Sequence, residues 1–133
     1  MKRVLITGAS SGIGMQLAQS YLAAGWQVIA CGRSLTKLQA AISSTDPALT
    51  LCIFDITQAT EVIEQLQQIK SLDLVILNAG TCEYMDHPLP FDSALFKRVI
   101  DTNVNGTGYC LEGVLGNIKQ GGQLAIVSSS VTL

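Results

Sequence analysis

Val4-Leu5-Ile6-Thr7-Gly8-Ala9-Ser10-Ser11-Gly12-Ile13-Gly14 is the stretch that decides how the chain is read. A short apolar run stops at Thr7-Gly8, and a helical pattern opens at Gly12. Such a turn needs glycine, which tolerates positive φ and, having no Cβ, lets a diphosphate approach the backbone. A helix that begins there aims free N–H groups and its positive dipole end at the phosphates. Gly8, Ser10, Ser11, Gly12, Ile13 and Gly14 are therefore candidates for holding a dinucleotide. The loop lacks the Lys-Ser/Thr pair that ends an ATP-type phosphate loop.

Outward from this stretch, short apolar runs alternate with helical patterns. The later runs are Val28-Ile29-Ala30-Cys31, Leu51-Cys52-Ile53-Phe54, Leu74-Val75-Ile76-Leu77 and Leu124-Ala125-Ile126-Val127. Each is continuous rather than alternating, which suits strands buried on both faces. The spacing predicts helices over about 12–24, 35–44, 58–70 and 92–118. Ser34, Thr57 and Asp92 stand where N-caps belong, with Glu61 in the first turn after Thr57, and Gly25 stands where the first helix should stop. Val62, Ile63, Leu66 and Ile69 form one face of the third helix. Alternating strands and helices imply right-handed crossovers and a parallel sheet covered on both sides, the doubly wound α/β class.

The chain's 133 residues suit one domain, residues 1–133. Apolar residues make up 48%, charged residues 14%, and the mean hydropathy is +0.39, which excludes a disordered chain. A net charge of −2 argues against nucleic acid as a partner. No apolar run approaches the roughly 18 residues of a membrane span, and Val4–Ile6 is too short for a signal-peptide core, so a cytoplasmic protein is expected. Cys31, Cys52, Cys82 and Cys110 are widely spaced and His87 is the single histidine, so no metal site is expected. The cysteines read as reduced thiols, Cys31 and Cys52 acting as small hydrophobes in strands.

Thr7 to Gly14 has the TGxxxGxG form of the short-chain dehydrogenases/reductases, and the whole chain resembles that family. Asn78-Ala79-Gly80 is similar to the family's NAG segment. Asn103, within Asp101-Thr102-Asn103-Val104-Asn105-Gly106, is similar to the asparagine of its long fourth helix. Gly121-Gly122-Gln123-Leu124-Ala125-Ile126-Val127-Ser128-Ser129 resembles the strand that ends in the catalytic serine. The resemblance implies a Rossmann sheet, here cut off after about five strands. Where the family usually has a second asparagine before NAG, this chain has Leu77.

The resemblance also implies roles. Asn78, Ala79 and Gly80 would line the cofactor, and Asp55, with Ile56 beside it, would contact the adenine amino group; a precap for the helix after it is the plainer use of Asp55. The second strand ends in Cys31-Gly32-Arg33-Ser34, with no acid to repel a 2′-phosphate. Arg33 and Ser34 would bind that phosphate, so NADP is expected over NAD. Ser129 would hydrogen-bond the substrate oxygen, with Ser130 and Ser128 as neighbouring alternatives, and Asn103 would anchor a water in the proton relay. The family's YxxxK pair has no counterpart here: Tyr21, Tyr84 and Tyr109 all precede the serine, and none has lysine four residues on.

The expected activity is hydride transfer between NADP and a small carbonyl or secondary-alcohol substrate, in a longer protein of which this is the N-terminal part. The chain alone would be inactive, and its last strand would leave an unpaired sheet edge. A non-catalytic NADP-binding sensor or scaffold is the alternative. An epimerase or dehydratase suits the glycine spacing less well. The apolar stripe Leu95, Phe96, Val99, Ile100 and Val104 on the 92–118 helix would serve the core and a homo-oligomer contact. His87 and Trp26 read as a surface residue and a cover for the end of the sheet.

Overall fold

Five strands form one sheet in the order β3-β2-β1-β4-β5, every neighbouring pair parallel. They are β1 (Arg3–Ile6), β2 (Gln27–Gly32), β3 (Leu49–Ile53), β4 (Leu72–Leu77) and β5 (Ile118–Ile126). The helices between them are α1 (Gly12–Ala23), α2 (Leu35–Ala41), α3 (Ala59–Gln67), α4 (Ser93–Ile100) and α5 (Gly106–Val114). The computed structural model describes residues 1–80, 87 and 89–128. This is the doubly wound α/β arrangement expected from the sequence. The strand order reverses between β1 and β4, which makes the carboxyl ends of those strands the place for a ligand.

The continuous apolar runs are explained by two cores, one on each face of the sheet. Val4, Ile6, Val28, Ala30 and Ile76 pack with Ala18 of α1 and Leu38 of α2. Leu5, Ile29, Cys31, Cys52, Val75 and Leu77 pack on the other face with Val62 and Leu66 of α3 and Cys110 and Val114 of α5. Leu77, where the family usually has asparagine, is an ordinary core residue, 4% exposed. Trp26 packs against the first core and meets Tyr21 edge-on, with ring centroids 4.9 Å apart.

Local signals act as their chemistry dictates. The Ser34 hydroxyl accepts the Lys37 N–H at 3.3 Å, and Asp92 accepts the Leu95 N–H at 3.0 Å. Gly25, at φ +88°, follows the end of α1. Thr57 is a correction: Gln58 occupies the N-cap of α3, with no side-chain cap bond. The Asp55 carboxylate takes the Thr57 N–H at 3.0 Å and its hydroxyl at 2.7 Å, so the turn before α3 closes on itself. Glu61, in the first turn of α3, accepts the Asp55 N–H at 3.2 Å.

The 92–118 helix is also corrected. It consists of α4, a π turn at Asp101–Asn105, α5 and a 3₁₀ turn at Leu115–Asn117. β5 then begins at Ile118, ahead of the apolar run at Leu124. Ile118 pairs with Leu72, and the register shifts before Gln123 pairs with Leu74. Gly121, at φ +81°, lies in that irregular stretch.

Candidate functional site

The site is built where β1 and β4 end side by side. Thr7, 1% exposed, leaves β1, and its hydroxyl oxygen accepts the N–H groups of Asn78 (2.9 Å) and Ala79 (3.0 Å). Asn78 Nδ2 in turn donates to the Gly8 carbonyl at 3.4 Å. The glycine loop and the Asn78–Gly80 segment are thus fastened together through one buried hydroxyl. Two orphan strand-end N–H groups are satisfied by it, and removing such an acceptor costs roughly 1–3 kcal/mol. The sequence shows Thr7 as part of a motif, but its fastening role depends on β4 being the neighbour of β1.

Glycine is required by contact as well as by conformation. Gly8 has φ +64°, and a Cβ there would lie 2.9 Å from Ala79 Cα. A Cβ on Gly14 would lie 2.2 Å from the Gly8 carbonyl oxygen and 2.6 Å from Asn78 Nδ2. Gly14 is buried beneath the loop and serves packing rather than lining the cleft. The loop's outer surface is left as backbone at the N-terminus of α1, whose first turn holds no acidic residue. This cradle fits a dinucleotide diphosphate: glycine backbone closely approachable, with a helix N-terminus facing it.

Above the loop lies one cleft of about 860 Å³. The loop contributes Gly8, Ser10, Ser11, Gly12 and Ile13; the end of β2 contributes Arg33; the β3 end contributes Asp55 and Ile56. Asn78, Ala79 and Gly80 line it from β4. Thr57's backbone N–H, its hydroxyl and, more distantly, the Arg33 charge hold the Asp55 carboxyl below the usual carboxylate range. It is ionised at neutral pH, with its Oδ1 engaged by its own turn.

Two expected residues, Ser34 and Asn103, are not among those lining the cleft. The Ser34 hydroxyl is taken up with the cap of α2. Asn103 sits in the π turn with its Oδ1 beside Gly80, 3.3 Å from where a Cβ on that glycine would be. The Asn103 carbonyl accepts the Thr107 hydroxyl at 2.9 Å. Ser129 and Ser130 lie outside the described residues, whereas Ser128 is described and exposed. His87 is exposed.

The sequence reading missed one wall of the cleft. Arg98, Asp101 and Thr102 line it from α4 and the π turn. Their i, i+3, i+4 spacing upstream of Asn103 was the available signal. Among the described residues, no group of three or more His, Cys, Asp or Glu is placed to hold a metal ion. No helix is long and apolar enough to cross a membrane among those residues.

Comparison with known proteins agrees with this geometry. The family model described as short chain dehydrogenase matches residues 2–133. An uncharacterized oxidoreductase of Myxococcus xanthus is 34% identical over 96% of this chain and 54% of its own. The NADPH-dependent pterin aldehyde reductase of Arabidopsis thaliana is 32% identical over 90% of this chain and 57% of its own. A carbonyl reductase structure from Pseudomonas aeruginosa superposes with a TM-score of 0.79, at 30% identity over 97% of this chain and 62% of that one. The chain therefore spans about half the length of the curated relatives it matches. With the fastened glycine loop, the reversed strand order and a family match over nearly every residue, the chain belongs to the short-chain dehydrogenase family.

Proposed function

We propose that the protein to which this chain belongs is an NADP-dependent oxidoreductase acting on a small carbonyl or secondary alcohol. The observation that carries the reading is the single cleft that gathers the glycine loop, Arg33, Asp55 and Asn78–Gly80. When bound, the nicotinamide would supply or accept the hydride. Loop N–H groups and the α1 terminus bind the diphosphate, and Asp55 and Ile56 receive the adenine. Asn78, Ala79 and Gly80 hold the nicotinamide half in place. Asn103 anchors a water for the proton relay, and Ser129 orients the substrate oxygen. The proton-transferring Tyr and its Lys are assigned to residues outside this sequence.

NADP is favoured because the acid that would repel a 2′-phosphate is absent and Arg33 lines the cleft in its place. The NADPH-dependent relative is in keeping with this assignment. The protein is assigned to the cytoplasm. The exposed Phe96, Val104 and Leu115 between residues 92 and 118 support the reading of that segment as the contact for a homo-oligomer.

Arg33→Asp tests the cofactor assignment in the full-length protein. A charge-assisted bond is lost and a repulsive charge gained, so the NADPH dissociation constant should rise by roughly tenfold to a hundredfold. NADH binding should change little. Equal weakening of both would remove Arg33 from the 2′-phosphate.

A further inference from the structure

We infer that Cys52 and Cys31 form a peroxide-oxidisable dithiol, closing into a reversible disulfide between β3 and β2 that loosens nucleotide binding in the cleft. The thiol site stands on the strand pairing. Its effect on the cleft rests on the dinucleotide reading above.

Strand register makes the pair. Cys31 and Cys52 are direct Cα partners in the parallel β2–β3 ladder, and both belong to the core packed by α3 and α5. Neighbouring strands run about 4.8 Å apart, inside the Cα separation of roughly 4.4–6.8 Å that a disulfide bridges. Both are free thiols. The Cys31 thiol donates to the Cys52 sulfur and stabilises its thiolate. Access also favours Cys52 as the first to react. It keeps slight exposure where Cys31 has none, and β3 is an edge strand of the sheet among the described residues. Its Sγ lies 4.0 Å from Oε1 of Gln65, an exposed residue of α3, so one side chain separates the sulfur from solvent. Cys110 shares the core but sits on α5, outside the ladder.

The chemistry takes two steps. The Cys52 thiolate attacks hydrogen peroxide; an S–O bond forms, the O–O bond breaks and hydroxide leaves, giving a sulfenic acid. The Cys31 sulfur then attacks the Cys52 sulfur; the S–S bond forms, the S–O bond breaks, and the Cys31 proton departs with the hydroxyl as water. Two thiols are oxidised and one peroxide is reduced. Disulfide Cβ atoms lie about 3.8 Å apart, closer than the strand spacing, so closure draws β2 toward β3 and the bond is readily reduced. That movement reaches the cleft through the backbone. The Cys31 carbonyl accepts the Ala9 N–H of the glycine loop at 3.1 Å, and the Gly32 carbonyl accepts the Phe54 N–H at 3.1 Å. Arg33 and Asp55, both lining the cleft, directly follow Gly32 and Phe54.

Peroxide treatment of the full-length protein, followed by peptide mapping without reductant, tests the site. A Cys31–Cys52 cross-linked peptide should appear, and dithiothreitol should remove it. With dimedone present, Cys31→Ala should stop at a labelled Cys52, whereas Cys52→Ala should leave Cys31 unlabelled. The wild-type map depends on no variant folding. Cys52 left as a free thiol, or cross-linked to Cys110 instead, would overturn the proposal. Adenosine 2′,5′-bisphosphate should bind the oxidised protein roughly fivefold more weakly, as for one lost hydrogen bond, and recover on reduction. Equal binding by the two forms would overturn the coupling to the cleft. A reduced protein that binds no bisphosphate would overturn the nucleotide reading and the coupling with it, while the peptide map still decides the dithiol.

Discussion

A methyl group on Gly14 would meet the Gly8 carbonyl oxygen and the Asn78 amide, both already placed by the Thr7 fastening. Neither is the free end of a flexible side chain, so the loop itself must shift. Gly14→Ala should therefore destabilise the protein by roughly 1–3 kcal/mol, the usual cost of overpacking. Gly108, in α5, has open space where its Cβ would be and no strained φ. Gly108→Ala should instead stabilise by about 0.5–1 kcal/mol through helix propensity and a stiffer unfolded chain. Urea midpoints of the two variants should move in opposite directions, and a stabilised Gly14→Ala would contradict the packing described. Residue-level legibility follows the same division. The turn glycines and the Ser34 and Asp92 caps were readable because their roles are local. Thr7's double acceptance and the Ile56 contact of Gly106 were not, because both depend on which elements become neighbours.

At the scale of elements, β1, β2, β3 and β4 were legible from continuous apolar runs, and α1 to α3 from periodicity, helped in α2 by the Ser34 cap. The segment from 92 to 118 misled because an apolar stripe runs across it without a break, and a π turn changes hydrogen bonding without changing composition. β5 starts earlier than its apolar run because Ile118 already pairs with Leu72, while Lys119, Gln120 and Gly121 lie exposed in the irregular stretch before Gln123. That stretch carries a pH-dependent clasp. Asp73 of β4 accepts the Arg3 N–H at 2.9 Å, and Lys119 of β5 reaches it at 3.4 Å. The Arg3 N–H, then Lys119, hold the Asp73 carboxyl below its ordinary value. Folding thus favours the ionised form. The stabilisation is complete above the unfolded value near 4 and is lost as pH falls through the lower folded value. Asp73→Asn should be less stable than wild type at about pH 5, and the difference should shrink by about pH 3. Urea unfolding at the two pH values measures this, and a constant difference would show that Asp73 does not titrate with folding.

Across the whole molecule, the two-faced sheet brings together groups that the sequence scatters. Cys31 and Cys52 were readable as strand hydrophobes, and both are buried free thiols. Their pairing was not readable: β2 and β3 set them directly across from each other, and α5 adds Cys110 to the same core. The consequence is a division of labour among identical side chains. Cys31 keeps its proton, because its thiol bonds to the Cys52 sulfur and burial disfavours its charged form. The same bond stabilises the Cys52 thiolate and lowers its pKa. Burial pushes the Cys110 thiol up to about 12, leaving it protonated at any pH the fold would ordinarily meet. Thiolate is the nucleophile in alkylation, so reactivity follows ionisation and access together. Cys52 is also the most accessible of the three, at 8% exposed against 0% for Cys31 and 1% for Cys110. Native alkylation with iodoacetamide, followed by site-resolved mass spectrometry, should modify Cys52 ahead of Cys31 and Cys110. Cys31→Ser should slow the reaction at Cys52, since a hydroxyl is a poorer match for the sulfur and the paired geometry is lost. Labelling of Cys110 first would mean that the α5 face opens before the β2–β3 pair does, and that the two cores do not hold with the order of protection their burial implies.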